Sequence, residues 1–116
     1  MDNNESDGIN FTAVAVTDLK KYLKKPVDML KIDIEGSEAD VIPDCEENLR
    51  NVKNLFVEYH SFVDQEQRLS EILHSLKKAG FRYHLKPELV NERPFIKQIE
   101  DNGMDNRVNI FTYRQN

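Results

Sequence analysis

The segment Val27–Pro43, reading VDMLKIDIEGSEADVIP, restricts the fold of this chain more than any other. Side chains alternate along a strand, so Leu30, Ile32 and Ile34 share one side of an extended Val27–Ile34 while Met29, Lys31 and Asp33 share the other. Gly36 breaks the run, Ser37-Glu38-Ala39-Asp40 supplies a cap-like start, and a short helix follows through Val41 and Ile42 before Pro43. Asn54–His60 repeats the strand signal, with Leu55, Val57 and Tyr59 on one face and Phe56, Glu58 and His60 on the other. Two such strands separated by a helix form a parallel crossover, which places the chain in the α/β class.

The remaining elements agree with that class. The first ten residues read as a flexible terminus, and residues 11–116 as a single partial α/β domain. Phe11–Val16 is β-branched or aromatic enough for a short strand, and Thr17 can cap a helix whose Leu19, Tyr22 and Leu23 share one face until Pro26 ends it. A further helix is predicted from about Gln65 to Ala79. Asp64 and Gln67 suit a capping box, Leu69, Ile72, Leu73 and Leu76 make the apolar stripe, and Gly80 closes it. Phe81, Tyr83 and Leu85 then alternate as a strand, and Val108–Tyr113 reads as the last one. These two form an antiparallel terminal pair, separated by Lys86–Asn106, which is too long for a simple hairpin.

In open α/β sheets ligands sit beyond the carboxyl ends of the strands. That rule selects Asp33, Glu35, Gly36, Glu58, Tyr59, His60 and Ser61. Lys31, Asp33 and Glu35 are spaced two apart and project to one side. Lys31 paired with Asp33 or Glu58 is one reading of these charges, and a cluster that orients substrate or cofactor is the other. Asp33, Glu35, Glu58 and His60 can converge if the two strands are neighbours. Carboxylates with one imidazole suit a general base or a divalent metal, but no established ligand motif is present and no metal is assigned. His74 and His84 read as surface residues. Cys45 stands between Asp44 and Glu46, surroundings that raise a thiol pKa and argue against a nucleophile.

Composition narrows the function further. Residues 28–50 carry eight acidic residues against Lys31 and Arg50 within a chain of net charge −5, so nucleic acid is not an expected partner. Most of those carboxylates read as a solvated helix face. No apolar run is long enough to span a membrane, the start MDNNESDG is not a secretory signal, and the single cysteine excludes an internal disulfide; a cytoplasmic location is expected. Gly8, Gly36, Gly80 and Gly103 stand too far apart for a glycine-rich nucleotide turn, and no serine sits in a nucleophile elbow.

Val27–Glu38, VDMLKIDIEGSE, resembles the signature of the FkbM-type methyltransferases, a class I family dependent on S-adenosylmethionine. Lys31, Asp33, Glu35, Gly36 and Glu38 carry the first block, Leu55–His60 the second and Leu73–Phe81 the third, while Val14–Leu19 is similar to the family's lead-in. The resemblance covers most of residues 11–85. It implies a Rossmann-like, three-layer sheet of mostly parallel strands with an antiparallel terminal strand, of which this chain holds the C-terminal half. It further implies O-methylation of a small-molecule or sugar hydroxyl, with Asp33 and His60 catalytic and Glu35, Gly36 and Glu58 on the substrate or cofactor side. The family's acidic-glycine cofactor turn has no counterpart in this sequence, so the chain alone is expected to bind S-adenosylmethionine weakly or not at all. The alternative reading is a non-catalytic α/β module that pairs with a partner chain. The apolar Val27–Ile34 strand, left at an edge, is expected to form a homodimer unless Phe11–Val16 covers it.

Overall fold

The computed structural model describes residues 19–33, 38–98 and 103–115. Along the chain lie α1 (Leu19–Tyr22), β1 (Val27–Ile32), α2 (Glu38–Asp44), a 3₁₀ turn (Asn48–Asn51), β2 (Val52–Phe62), α3 (Leu69–Lys78), β3 (Arg82–Pro87) and β4 (Met104–Tyr113). The expected flexible terminus, the Phe11–Val16 strand, Thr17 and the turn from Ile34 to Ser37 fall outside the described residues. Among those described, no helix is long and apolar enough to cross a membrane.

The four strands form one sheet in the order β1-β2-β4-β3. β1 and β2 are parallel, with Val27 opposite Val52 and Ile32 opposite Val57, as a crossover through α2 requires. β4 then inserts antiparallel between β2 and β3, pairing Glu58 with Asn109, His60 with Arg107 and His84 with Phe111. The α/β class and the antiparallel terminal pair are as expected. The mostly parallel sheet is not: of the three pairings only β1–β2 is parallel, because the last strand wedges beside β2 instead of extending the sheet at its edge. Of the expected three layers, the described residues show the sheet and one helical layer. Among the described residues α1, α2 and α3 all contribute to one core on one face of the sheet.

That core follows from the alternation. Ile32, Leu55, Val57, Tyr59, Val108 and Ile110 line the covered face and meet Leu19 and Leu23, Val41 and Ile42, and Ile72 and Leu76 from the helical segments. At ~25 cal/mol per Å² of apolar surface removed from water, each fully buried aliphatic side chain contributes about 1.5–3 kcal/mol. Arg114 ties the end of β4 to this layer. Its guanidinium donates to the carbonyls of Val52 (2.8 Å), Ala79 (2.7 Å) and Leu49 (2.6 Å) and lies 4.0 Å from the Phe81 ring centroid.

Several element boundaries differ from expectation, β4 among them, which begins at Met104 instead of Val108. Pro43 lies inside α2, not after it, which costs little because the helix ends one residue later. α3 begins at Leu69 without the Asp64–Gln67 box: the Arg68 amide donates to Tyr59 Oη at 2.9 Å, and Gln67 reaches Ser61 and Asp105 instead. β2 is longer than Asn54–His60 because Ser61 and Phe62 still pair with Asn106 and Met104 of β4. The C-terminus of α3 is as predicted. Gly80 adopts φ 93°, and the amides of Gly80 and Phe81 return to the carbonyls of Lys77 and Leu76.

Candidate functional site

The titratable side chains selected from the sequence gather on the face of the sheet opposite the core. Parity in β1 and β2 turns Asp33, Glu58 and His60 to this face, and the parallel register brings the carboxyl ends of the two strands side by side. One potential ligand atom from each of these three residues lies within 4.8 Å of the others. The His60 imidazole is only 5% exposed and its Nε2 stands 3.4 Å from Glu58 Oε2. Its ring is stacked near Phe62, with centroids 6.3 Å apart.

Arg107 of β4 completes the cluster. Its Nε and Nη2 donate to Glu58 Oε2 at 3.1 and 2.9 Å, which fixes a carboxylate that is itself only 14% exposed. Asp33 is the accessible member, with 40% of its side chain exposed. Lys31 Nζ approaches Asp33 only at 4.0 Å and lies 5.7 Å over the Phe56 ring. An exposed pair at that distance contributes little, whereas Glu58 takes its close ion pair from Arg107 and not from Lys31. Asn109, opposite Glu58 in the register, has a buried Oδ1 with no hydrogen-bond partner among the described residues.

The remaining sequence-selected residues divide cleanly. Glu35 and Gly36 lie outside the described residues. Tyr59 and Ser61 point to the other face: both are buried, Tyr59 supports the start of α3, and Ser61 Oγ donates to Asp105 Oδ1 at 2.6 Å. They are structural, as alternation with Glu58 and His60 requires. His74 is exposed, and His84 stacks on Tyr113 at 5.1 Å. Burial first, and then Asp44, raise the Cys45 thiol pKa, so this core residue is no nucleophile. Several acidic residues form the expected solvated face, with Asp40 bound to Arg68, Asp44 to Lys20 and Glu46 to Lys78.

Arg107 and Asn109 were not selected from the sequence. Arg107 precedes the predicted Val108–Tyr113 strand, and nothing local indicates that β4 pairs with β2. A shallow groove of about 410 Å³ on the same open face is lined by Met29, Asn54, Phe56, His84, Phe111 and Tyr113. It lies toward the amino ends of β1 and β2, and its lining holds no carboxylate.

The family model described as the methyltransferase FkbM domain matches residues 3–83, more than half of the chain. Comparison with curated proteins and with solved structures returned no match. The matched span contains Asp33, Glu58 and His60 and ends before Arg107 and Asn109. The chain with this cluster at its parallel strand ends belongs to the FkbM methyltransferase domain family.

Proposed function

We propose that the chain carries the acceptor side of an O-methyltransferase site, at which a hydroxyl of a small molecule or sugar is prepared for methylation. The convergence of Asp33, Glu58 and His60 at the carboxyl ends of β1 and β2 carries this reading. Asp33, the exposed member, accepts a hydrogen bond from the incoming hydroxyl and orients it. His60, backed by Glu58, takes the proton, the role imidazole most often plays in such sites. Arg107 holds the Glu58 carboxylate in place through two hydrogen bonds, so the imidazole meets a fixed partner. The solvent-facing Asp33 carboxylate suits a hydroxylated acceptor, whose O–H donors it can receive.

S-adenosylmethionine, implied by the family, supplies an electrophilic methyl group when bound. The described residues do not fit it. A Cβ at Gly80 would come within 2.9 Å of Arg114 Nη1, so this glycine serves a close approach by the protein's own side chain. Gly103 leads into β4 with nothing within 4 Å of a Cβ there. Neither glycine lets a ligand approach the backbone between a strand and a helix, as nucleotide sites require.

The test is labelled methyl transfer from S-adenosylmethionine to sugars and small hydroxylated molecules, with the chain reconstituted beside the cofactor-binding half of another family member. Label on an acceptor oxygen, lost in the His60→Ala variant, is the expected result. Transfer to nitrogen or carbon acceptors only, or transfer indifferent to His60, contradicts the reading.

A further inference from the structure

We propose that Asp33, Glu58 and His60 form a site for a divalent cation of the manganese class, with the Asn109 carboxamide oxygen as a neighbouring fourth donor. The first observation is geometric. Ions bound at about 2.0–2.6 Å separate their ligands by up to roughly twice that length, and the three ligand atoms here lie within 4.8 Å of one another. They come from two adjacent strands, whose ladder holds their spacing.

The second observation is independent of the first. Among the described residues, Asn109 Oδ1, on the strand beside Glu58, is buried without a hydrogen-bond partner. A buried acceptor left unsatisfied is costly, and a bound ion or its water shell is one of the few things that explain it. The donor chemistry then selects the ion. Two carboxylates and an amide oxygen suit the hard cations magnesium, calcium and manganese, and the imidazole, a ligand for first-row transition ions, favours manganese among these three. A thiophilic ion is disfavoured because the single cysteine, Cys45, is buried in the core.

Arg107 has the place of an outer partner. Both of its hydrogen bonds end on Glu58 Oε2, which orients the carboxylate and leaves Oε1 outside that pair. With the ion bound, the imidazole would be a ligand in place of its role as base, and the cation would lower the pKa of the acceptor hydroxyl so that its proton passes to solvent water, a role that rests on the acceptor reading above.

The test is titration of the chain with Mn2+, following free Mn2+ by electron paramagnetic resonance and the melting temperature in parallel. One saturable site and a raised melting temperature are expected, with Asp33→Asn binding at least about tenfold more weakly. Asp33 is exposed, so this variant folds, and Asn109→Leu provides a second variant with weakened binding. Absence of saturable binding, or equal binding by Asp33→Asn, overturns the site. Methyl transfer that depends on His60 without Mn2+ binding removes the cation and leaves the acceptor reading. Mn2+ binding with transfer indifferent to all three residues keeps the site and removes that reading.

Discussion

The two faces of β2 differ in what they spend their residues on. Leu55, Val57, Tyr59 and Ser61 are buried against the helical layer, where they hold the fold and position α3. Phe56, Glu58 and His60, one residue out of phase, face the side where the described residues place no helix, and two of them build the cluster with Asp33 and Arg107. A strand period of two thus lets one segment carry a core face and a polar cluster with little interference. The parallel neighbour β1 adds a carboxylate, and the antiparallel neighbour β4 adds the cation that holds Glu58.

The comparison breaks most visibly if the covered face proves dispensable. Ile110→Ala removes a fully buried side chain from that face and is expected to cost about 2–5 kcal/mol in denaturant unfolding. A cost near zero would mean the core lies elsewhere. Arg114→Met is expected to cost about 2–3 kcal/mol, because three carbonyls lose a charged donor and Phe81 loses its stacked partner. Chemical unfolding of this variant checks it, and an unchanged midpoint would show that water replaces the guanidinium without cost.

A smaller effect concerns pH. The folded Cys45 pKa is raised above 9.0 by burial and by Asp44, so the fold favours the neutral thiol. Its contribution is full below the ordinary thiol value and is lost as pH rises through the raised one. Between those two values the fall in melting temperature should be shallower in Cys45→Ala, and parallel curves would contradict it. The mildest effect is association. β1 is an edge strand of the described sheet, and a dimer through that edge is expected at tens of micromolar. Sedimentation equilibrium giving the mass of one chain throughout would rule it out.

How far the sequence foretold these faces depends on the range of the interactions. Leu30 with Ile32, and Leu55 with Val57 and Tyr59, betray their face through spacing alone, as does Asp33 its place beyond an apolar run. Gly80 announces the end of α3 because its left-handed backbone is a local requirement. The position of β4 between β2 and β3 is a pairing across about fifty residues, and no local pattern encodes it. Arg107 and Asn109 were invisible for that reason. The start of α3 was misread because its cap is the distant Tyr59 hydroxyl, which replaces the nearby Asp64.

The division between the faces is tested most directly by paired melts and initial methyl-transfer rates of Asp33→Ala and Ile110→Ala in the reconstituted domain. Asp33→Ala should lower the rate by about 10²–10⁴-fold while shifting stability by no more than about 0.5 kcal/mol. Ile110→Ala should do the reverse below its melting temperature. Asp33→Ala that unfolds like the core variant while transfer persists would contradict the account.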